Sequence, residues 1–185
     1  MFCEKSVMEK LNFKLFMVLF LIVFACKNIN SSETTENLHK PTCLETTLKK
    51  ATKTYFYAWS KNDSTLIDSV SVKNLIRNVN GEIVSTNQNE LLKTMYFWHT
   101  AMPNFKMVDK EINVVGNRTY VNWSGTGTNT GMYANTPPTG KIGHIEGMSI
   151  LTFNNDGQIV YEGVFFDKLG LLEQWGYSVI PPIMK

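Results

Sequence analysis

The periodicity of the chain changes at Pro103, and that change limits what it can fold into more than any other feature. Before it, apolar residues recur at helical spacing. Leu44, Leu48, Ala51, Tyr55, Ala58 and Trp59 form one stripe, with Lys49, Lys50 and Lys53 elsewhere on the wheel. This pattern predicts a helix entered at Pro41, with Thr42 as its cap, running to about Ser60 and broken at Asn62-Asp63. A short second helix follows from Ser64 to about Val70. Strand-like residues 75–79 meet the hairpin signal Asn80-Gly81, and residues 82–84 return. Ser85-Thr86-Asn87-Gln88 has capping-box spacing and opens a third helix through Leu91, Leu92, Met95, Trp98 and Met102, which Pro103 stops.

After Pro103 the chain reads as strands over 105–114, 118–128, 141–153 and 158–166. Gly116-Asn117, the segment 136–140 and Asn154-Asn155-Asp156-Gly157 separate them as turns. The first strand alternates poorly, which predicts a bulge or an edge position. Helices first and an antiparallel meander afterwards define an α+β domain, closed by a short helix over 169–175.

Residues 1–40 are a separate object. Lys5, Lys10 and Lys14 precede an apolar run over 15–25 that ends at Cys26. A positive segment, a short apolar core and a small residue before the processing point predict a signal peptide over 1–25. The run is shorter than the roughly 20 apolar residues of a membrane span. Val23-Phe24-Ala25-Cys26 resembles a bacterial lipobox, which implies a lipid on Cys26 and a membrane-anchored protein of the cell envelope; an ordinary signal peptide that happens to hold a Cys is the alternative. Translation from Met8 rather than Met1 would give a more typical leader. Residues 26–40 are polar and aperiodic and read as a flexible tether, leaving 41–185 as the folded domain.

Composition removes several functions. A formal net charge of +2 with no basic block argues against nucleic acid. Of three cysteines, Cys3 leaves with the leader and a lipidated Cys26 cannot pair, so Cys43 stands alone and no internal disulfide is expected. Three scattered histidines with no His-Glu constellation give no metal-ligand set. Arginine is scarce, and Arg77 and Arg118 both fall near turns.

Several landmarks resemble, in order, the SnoaL-like polyketide cyclases of the nuclear-transport-factor-2-like superfamily. They are Ala101-Met102-Pro103-Asn104-Phe105, Gly116-Asn117-Arg118 with Val121 and Trp123, and Gly127-Thr128-Asn129-Thr130-Gly131. Pro137-Pro138-Thr139-Gly140-Lys141, Asp156-Gly157-Gln158-Ile159 and Asp167-Lys168-Leu169-Gly170-Leu171-Leu172 complete the series. The resemblance implies a curved antiparallel sheet wrapped into a cone by three N-terminal helices, with a pocket at the open end. It also implies homodimers through the outer sheet face and chemistry without metal or organic cofactor.

In cyclase members of that family an Asp near the last strand-to-helix junction acts as acid and base, and Asp167 is the matching position. Alternation puts Tyr161, Phe165 and Asp167 on one side of the last strand and Glu162 on the other. If the side without Glu162 is concave, Asp167 reaches the pocket wall beside Phe165, where desolvation would suit it to proton transfer. The alternative is that Asp167 caps the helix that follows it. Asn129 stands where cyclases often carry His and could orient a carbonyl, and Tyr161 is the second residue read as orienting the substrate. Tyr55, Trp59 and Trp123 are the aromatic candidates for the lining, although core packing also explains the helical stripe. The reading is therefore an exported domain that binds a small apolar or cyclic molecule, with aldol-cyclase or isomerase chemistry at Asp167. A non-catalytic ligand-binding or protein-interaction module of the same fold is the alternative.

Overall fold

Thr42 and Glu45 start the first element by exchanging hydrogen bonds. In the computed structural model, which describes residues 42–178 and 180, the Thr42 hydroxyl accepts from the Glu45 amide and the Glu45 carboxylate from the Thr42 amide. Helix α1 (Cys43–Lys61) ends at Asn62, whose left-handed conformation terminates it. Asp63 at once caps α2 (Ser64–Val70), accepting from the amides of Thr65 and Leu66. Strands β1 (Ser71–Val79) and β2 (Glu82–Ser85) turn through Asn80 and Gly81, both at positive φ.

Helix α3 (Gln88–Ala101) begins two residues later than the spacing predicts. Ser85 stays in β2, and Asn87 is the cap: its side chain accepts from the Glu90 amide while Glu90 accepts from Thr86. Then come β3 (Lys106–Val115), β4 (Arg118–Thr128), β5 (Ile142–Phe153), β6 (Ile159–Phe166) and the short helix α4 (Lys168–Gln174).

The six strands form one curved, unclosed sheet in the order β2-β1-β6-β5-β4-β3. The hairpin and the meander of the sequence reading are both present, and one pairing joins them that alternation alone does not reveal. Strand β1 lies parallel to β6, with Arg77 opposite Glu162 and Val79 opposite Val164. The sheet is therefore mixed, with a single parallel pair among antiparallel neighbours. The poor alternation of β3 has both expected causes: it is an edge strand, and its register shifts between Asp109 and Glu111.

Helix α1 lies along β3, and Ser60 from its last turn both accepts from the Met107 amide at 2.7 Å and donates to the Met107 carbonyl at 2.8 Å. One hydroxyl thereby occupies backbone groups that an edge strand would otherwise offer to another chain. The buried stripe of α1, including Leu48, Tyr55 and Phe56, packs over the inner sheet face with Val121, Leu151 and Ile159. Thr52 and Thr119, both fully buried, hydrogen-bond across that seam at 3.0 Å.

The leader at 1–25, Cys26 and the tether at 26–40 lie outside the described residues. Among the described residues no helix is long and apolar enough to cross a membrane.

Candidate functional site

Strand β6 decides which residues face inward. A register shift where it pairs with β5 puts Ile159 opposite Phe153 and Tyr161 opposite Thr152, so one residue is taken up in a bulge. Beyond it Glu162, Val164 and Phe166 point inward, while Tyr161 and Phe165 remain 36% and 46% exposed. The concave side is the side with Glu162. The premise that would bring Asp167 to the pocket wall is thus reversed.

The pocket lies between this inner face and two helices. Helix α1 supplies Tyr55, Phe56 and Trp59, and α3 supplies Trp98. Phe105 and Met107 close one side, and Trp123 and Ile145 come from β4 and β5. The Trp123 indole fits because position 147 is glycine: a Cβ there would clash with its Cζ2 and Cε2 atoms. About 400 Å³ of space lies between the lining atoms, part of it open solvent, but the room for the centre of a water molecule is only about 30 Å³. That holds a water or two. Anything larger has to move side chains, and the walls that are only half-buried are Trp98, Met107 and Phe166, the two aromatic rings standing 6.4 Å apart.

At the floor of this aromatic pocket sits a buried carboxylate with three donors. Glu162 is 3% exposed. Tyr55 OH donates to its Oε2 at 2.7 Å, Arg77 Nε to the same oxygen at 2.7 Å, and Ser149 Oγ to Oε1 at 2.9 Å. Trp123 Nε1 donates in turn to Ser149 Oγ at 3.1 Å. Arg77 is 7% exposed and its guanidinium stacks over the Trp59 ring at 4.9 Å. Burial, and then the charge of Glu162, push the Tyr55 hydroxyl well above the usual tyrosine range, so it stays a donor at neutral pH. The four polar side chains come from α1, β1, β5 and β6, so the whole fold is needed to assemble them.

The structure brings together half of the lining expected from sequence. Tyr55, Trp59 and Trp123 line the pocket; Tyr161 and Phe165 lie on the opposite sheet face. Asn129 is fully buried but committed elsewhere. Its amide donates to the carbonyls of Ala101 and Gly131, and its Oδ1 accepts from the Thr139 amide and hydroxyl. It clamps the loop after β4 to the end of α3 and has nothing left for a ligand. Asp167 is exposed, and its Oδ1 accepts from the Gly170 amide at 2.8 Å as the cap of α4. It is not among the lining residues.

Two histidines also find their places. His99 Nε2 donates to the Trp59 carbonyl at 2.6 Å, tying α3 to α1, and His144 is an exposed residue of β5 near Glu146. Among the described residues no group of three or more His, Cys, Asp and Glu could hold a metal ion.

Sequence reasoning missed Glu162, Arg77 and Ser149. The signal for Glu162 was present as a lone acid in the run Ile159-Val160-Tyr161-Glu162-Gly163-Val164-Phe165-Phe166. An acid inside an apolar strand is either on the wet face or paired, and here it is paired. Arg77 is its partner, hidden by its nearness to the Asn80-Gly81 turn.

A curved sheet backed by helices, with a pocket on its concave side, defines the class: an α+β cone of the nuclear-transport-factor-2-like kind. Within that class the model of the SnoaL-like polyketide cyclase family matches residues 49–175, and the chain belongs to that family. Similar solved structures include a candidate SnoaL-like polyketide cyclase from Jannaschia sp. CCS1, with 16% identity, TM-score 0.67, and coverage of 77% of this chain and 99% of that one. AclR, a candidate hydroxylase from Streptomyces galilaeus, is 21% identical with TM-score 0.63, over 72% of this chain and 88% of its own. A protein of ketosteroid isomerase-like fold from Catenulispora acidiphila, in complex with trimethylamine, is 11% identical with TM-score 0.58, over 70% and 94%. At these identities the likeness is one of fold. No curated protein matches the chain by sequence.

Proposed function

We propose that the domain binds a small apolar or cyclic molecule in the pocket between α1, α3 and the inner sheet face. One observation carries this reading: a buried Glu162–Arg77 pair at the floor of an aromatic pocket. Replacing a buried ion pair by apolar side chains of similar volume often costs no stability, so the pair is poor evidence for a purely structural role. The walls supply apolar area and the pair supplies orientation, which is the usual division of labour in a small-molecule site. Family membership supports the same reading.

Ethylbenzene, a single apolar ring, tests it. Saturable binding should raise the unfolding midpoint with ligand concentration. Val164→Phe, which fills the space from β6, should abolish that rise; no saturable shift in the unaltered chain with ethylbenzene or with any other ring compound of its size would overturn the reading.

Acid/base chemistry in the pocket is a second reading, favoured by Glu162 being the one acid among the lining residues. Oε2 accepts from Tyr55 and Arg77, whereas Oε1 accepts from Ser149 alone and keeps a second lone pair for a reacting proton. Chemistry at Asp167, as the family resemblance implies, would require a substrate held at the outer end of β6. Loss of turnover in Glu162→Gln with Asp167→Asn active places the chemistry inside; the reverse result returns it to Asp167.

Two proposals concern the setting. The lipobox-like Val23-Phe24-Ala25-Cys26 supports export and lipid anchoring in the cell envelope, for which the mature N-terminus should carry diacylglycerol on Cys26 by mass analysis. The outer sheet face supports a homodimer: Met148 and Phe165 are opposed there, as are Ile76 and Tyr161, and all four are exposed. Phe165→Lys should convert a dimer to a monomer by light scattering.

A further inference from the structure

Arg77 holds more donors than Glu162 uses, and the inference drawn from them rests on the pocket being the ligand site. The guanidinium is fixed by two contacts, Nε on Glu162 and the face-on contact with Trp59. Neither uses the two Nη groups, which make no hydrogen bond among the described residues. They are not sealed off either. Among the described residues, the buried side-chain polar atoms without a partner are Ser85 Oγ, Trp175 Nε1 and Tyr177 OH. A nearly buried arginine that lines the pocket, with its fork neither bonded nor enclosed, has the pocket as the place for those donors.

Charge decides what they can take. Glu162 neutralises Arg77 at contact distance, and Tyr55, Ser149 and Trp123 are neutral donors to the same network. A ligand carboxylate would bring a second negative charge beside Glu162 with no further cation in the lining. A pure hydrocarbon would cover the Nη groups and leave them without any acceptor. A neutral carbonyl oxygen meets both conditions, accepting from the fork and adding no charge.

We infer that Arg77 is a specificity-determining residue that reads a neutral carbonyl oxygen on a small ring compound, selecting against carboxylates and hydrocarbons of the same size. The parallel pairing of β1 with β6 sets this up, because it places Arg77 directly beside Glu162 and spends Nε on it while the rest of the fork stays free. The ligand's ring then lies against Trp59, Trp98 and Trp123, with its oxygen toward the floor.

Three probes of one size decide the matter: ethylbenzene, acetophenone and benzoate, titrated calorimetrically into the full chain. Acetophenone should bind about 10- to 100-fold tighter than ethylbenzene, the worth of one hydrogen bond to a charged donor, and benzoate more weakly than acetophenone. The double variant Arg77→Met/Glu162→Gln removes both charges together, so no lone buried ion remains. It should bind acetophenone and ethylbenzene with equal affinity, so that the preference is lost. Arg77→Lys keeps the charge facing Glu162 but not the fork, and should shrink the preference even if the double variant does not fold. Equal binding of acetophenone and ethylbenzene by the unaltered chain, or tightest binding of benzoate, would overturn the inference and leave the binding reading standing. Binding of none of the three would overturn both.

Discussion

Glu162 and Asp167 lie on one strand and at its end, five positions apart, and the fold treats them as opposites. Glu162 is sealed against α1 and held by three side chains from three other elements. Asp167 stands in solvent and serves a single amide of its own helix. The difference comes from facing direction. A bulge at the start of β6 turns Glu162, Val164 and Phe166 toward the pocket, and by the strand's end the chain has left the sheet to begin α4. An acid at a family position need not be the acid in the pocket.

The comparison predicts unequal consequences for change at the two acids. Glu162→Gln or Arg77→Met alone should each cost about 3–5 kcal/mol by urea unfolding, because each leaves a buried charge unpaired. Arg77→Met/Glu162→Gln should recover most of that loss, giving a large coupling energy in the double-mutant cycle. Additive single losses would mean that the pair does not act as a unit.

Ser149→Ala comes next, at about 1–3 kcal/mol, since it strips a donor from Glu162 and strands the Trp123 indole N–H. Asp167→Ala should cost only about 1 kcal/mol, the worth of a helix cap, and leave ethylbenzene affinity unchanged. A loss as large as that at Glu162, or abolished binding, would erase the distinction between inside and outside.

Last comes the titration of Tyr55, which is silent near neutral pH. Its folded-state hydroxyl is raised, by burial first, above the value of about 10 it takes in the unfolded chain. Its contribution to stability is therefore complete below about pH 10 and is lost as the pH rises above that, where the unfolded chain releases the proton first. Tyr55→Phe should be less sensitive to alkaline unfolding than the unaltered chain.

Most of the fold was legible because local chemistry agreed with it. The Thr42 capping box, the Asn62-Asp63 break, the Asn80-Gly81 turn and the stop at Pro103 each act within a few residues, and each marks a boundary where the sequence puts it. The capping box of α3 was misplaced by two residues because Ser85 and Asn87 are both good caps. Only the strand pairing of Ser85 decides between them. The site was legible in part. Tyr55 and Trp59 lie on a helical stripe that must face inward, whereas Arg77 and Ser149 gain meaning only from a parallel pairing and a bulge, neither of which has a local signature. Asn129 shows the converse. A short amide in a Gly-Thr-rich turn satisfies its own loop and the end of α3.

The parallel pairing of β1 with β6 also sets an order of events in folding. Arg77 and Glu162 are separated by 85 positions, and their strands border each other with nothing between them. Contacts so distant along the chain bring no gain until the intervening loop has been closed, which makes them slow to form. Helices α1 to α3 and the β3–β5 meander can form from their own segments. The pocket floor cannot, because it waits for the last strand. A chain interrupted before β6 would keep its aromatic walls and the Arg77 cation open to water, so the unfinished domain should be the form most prone to capture by chaperones or to aggregation.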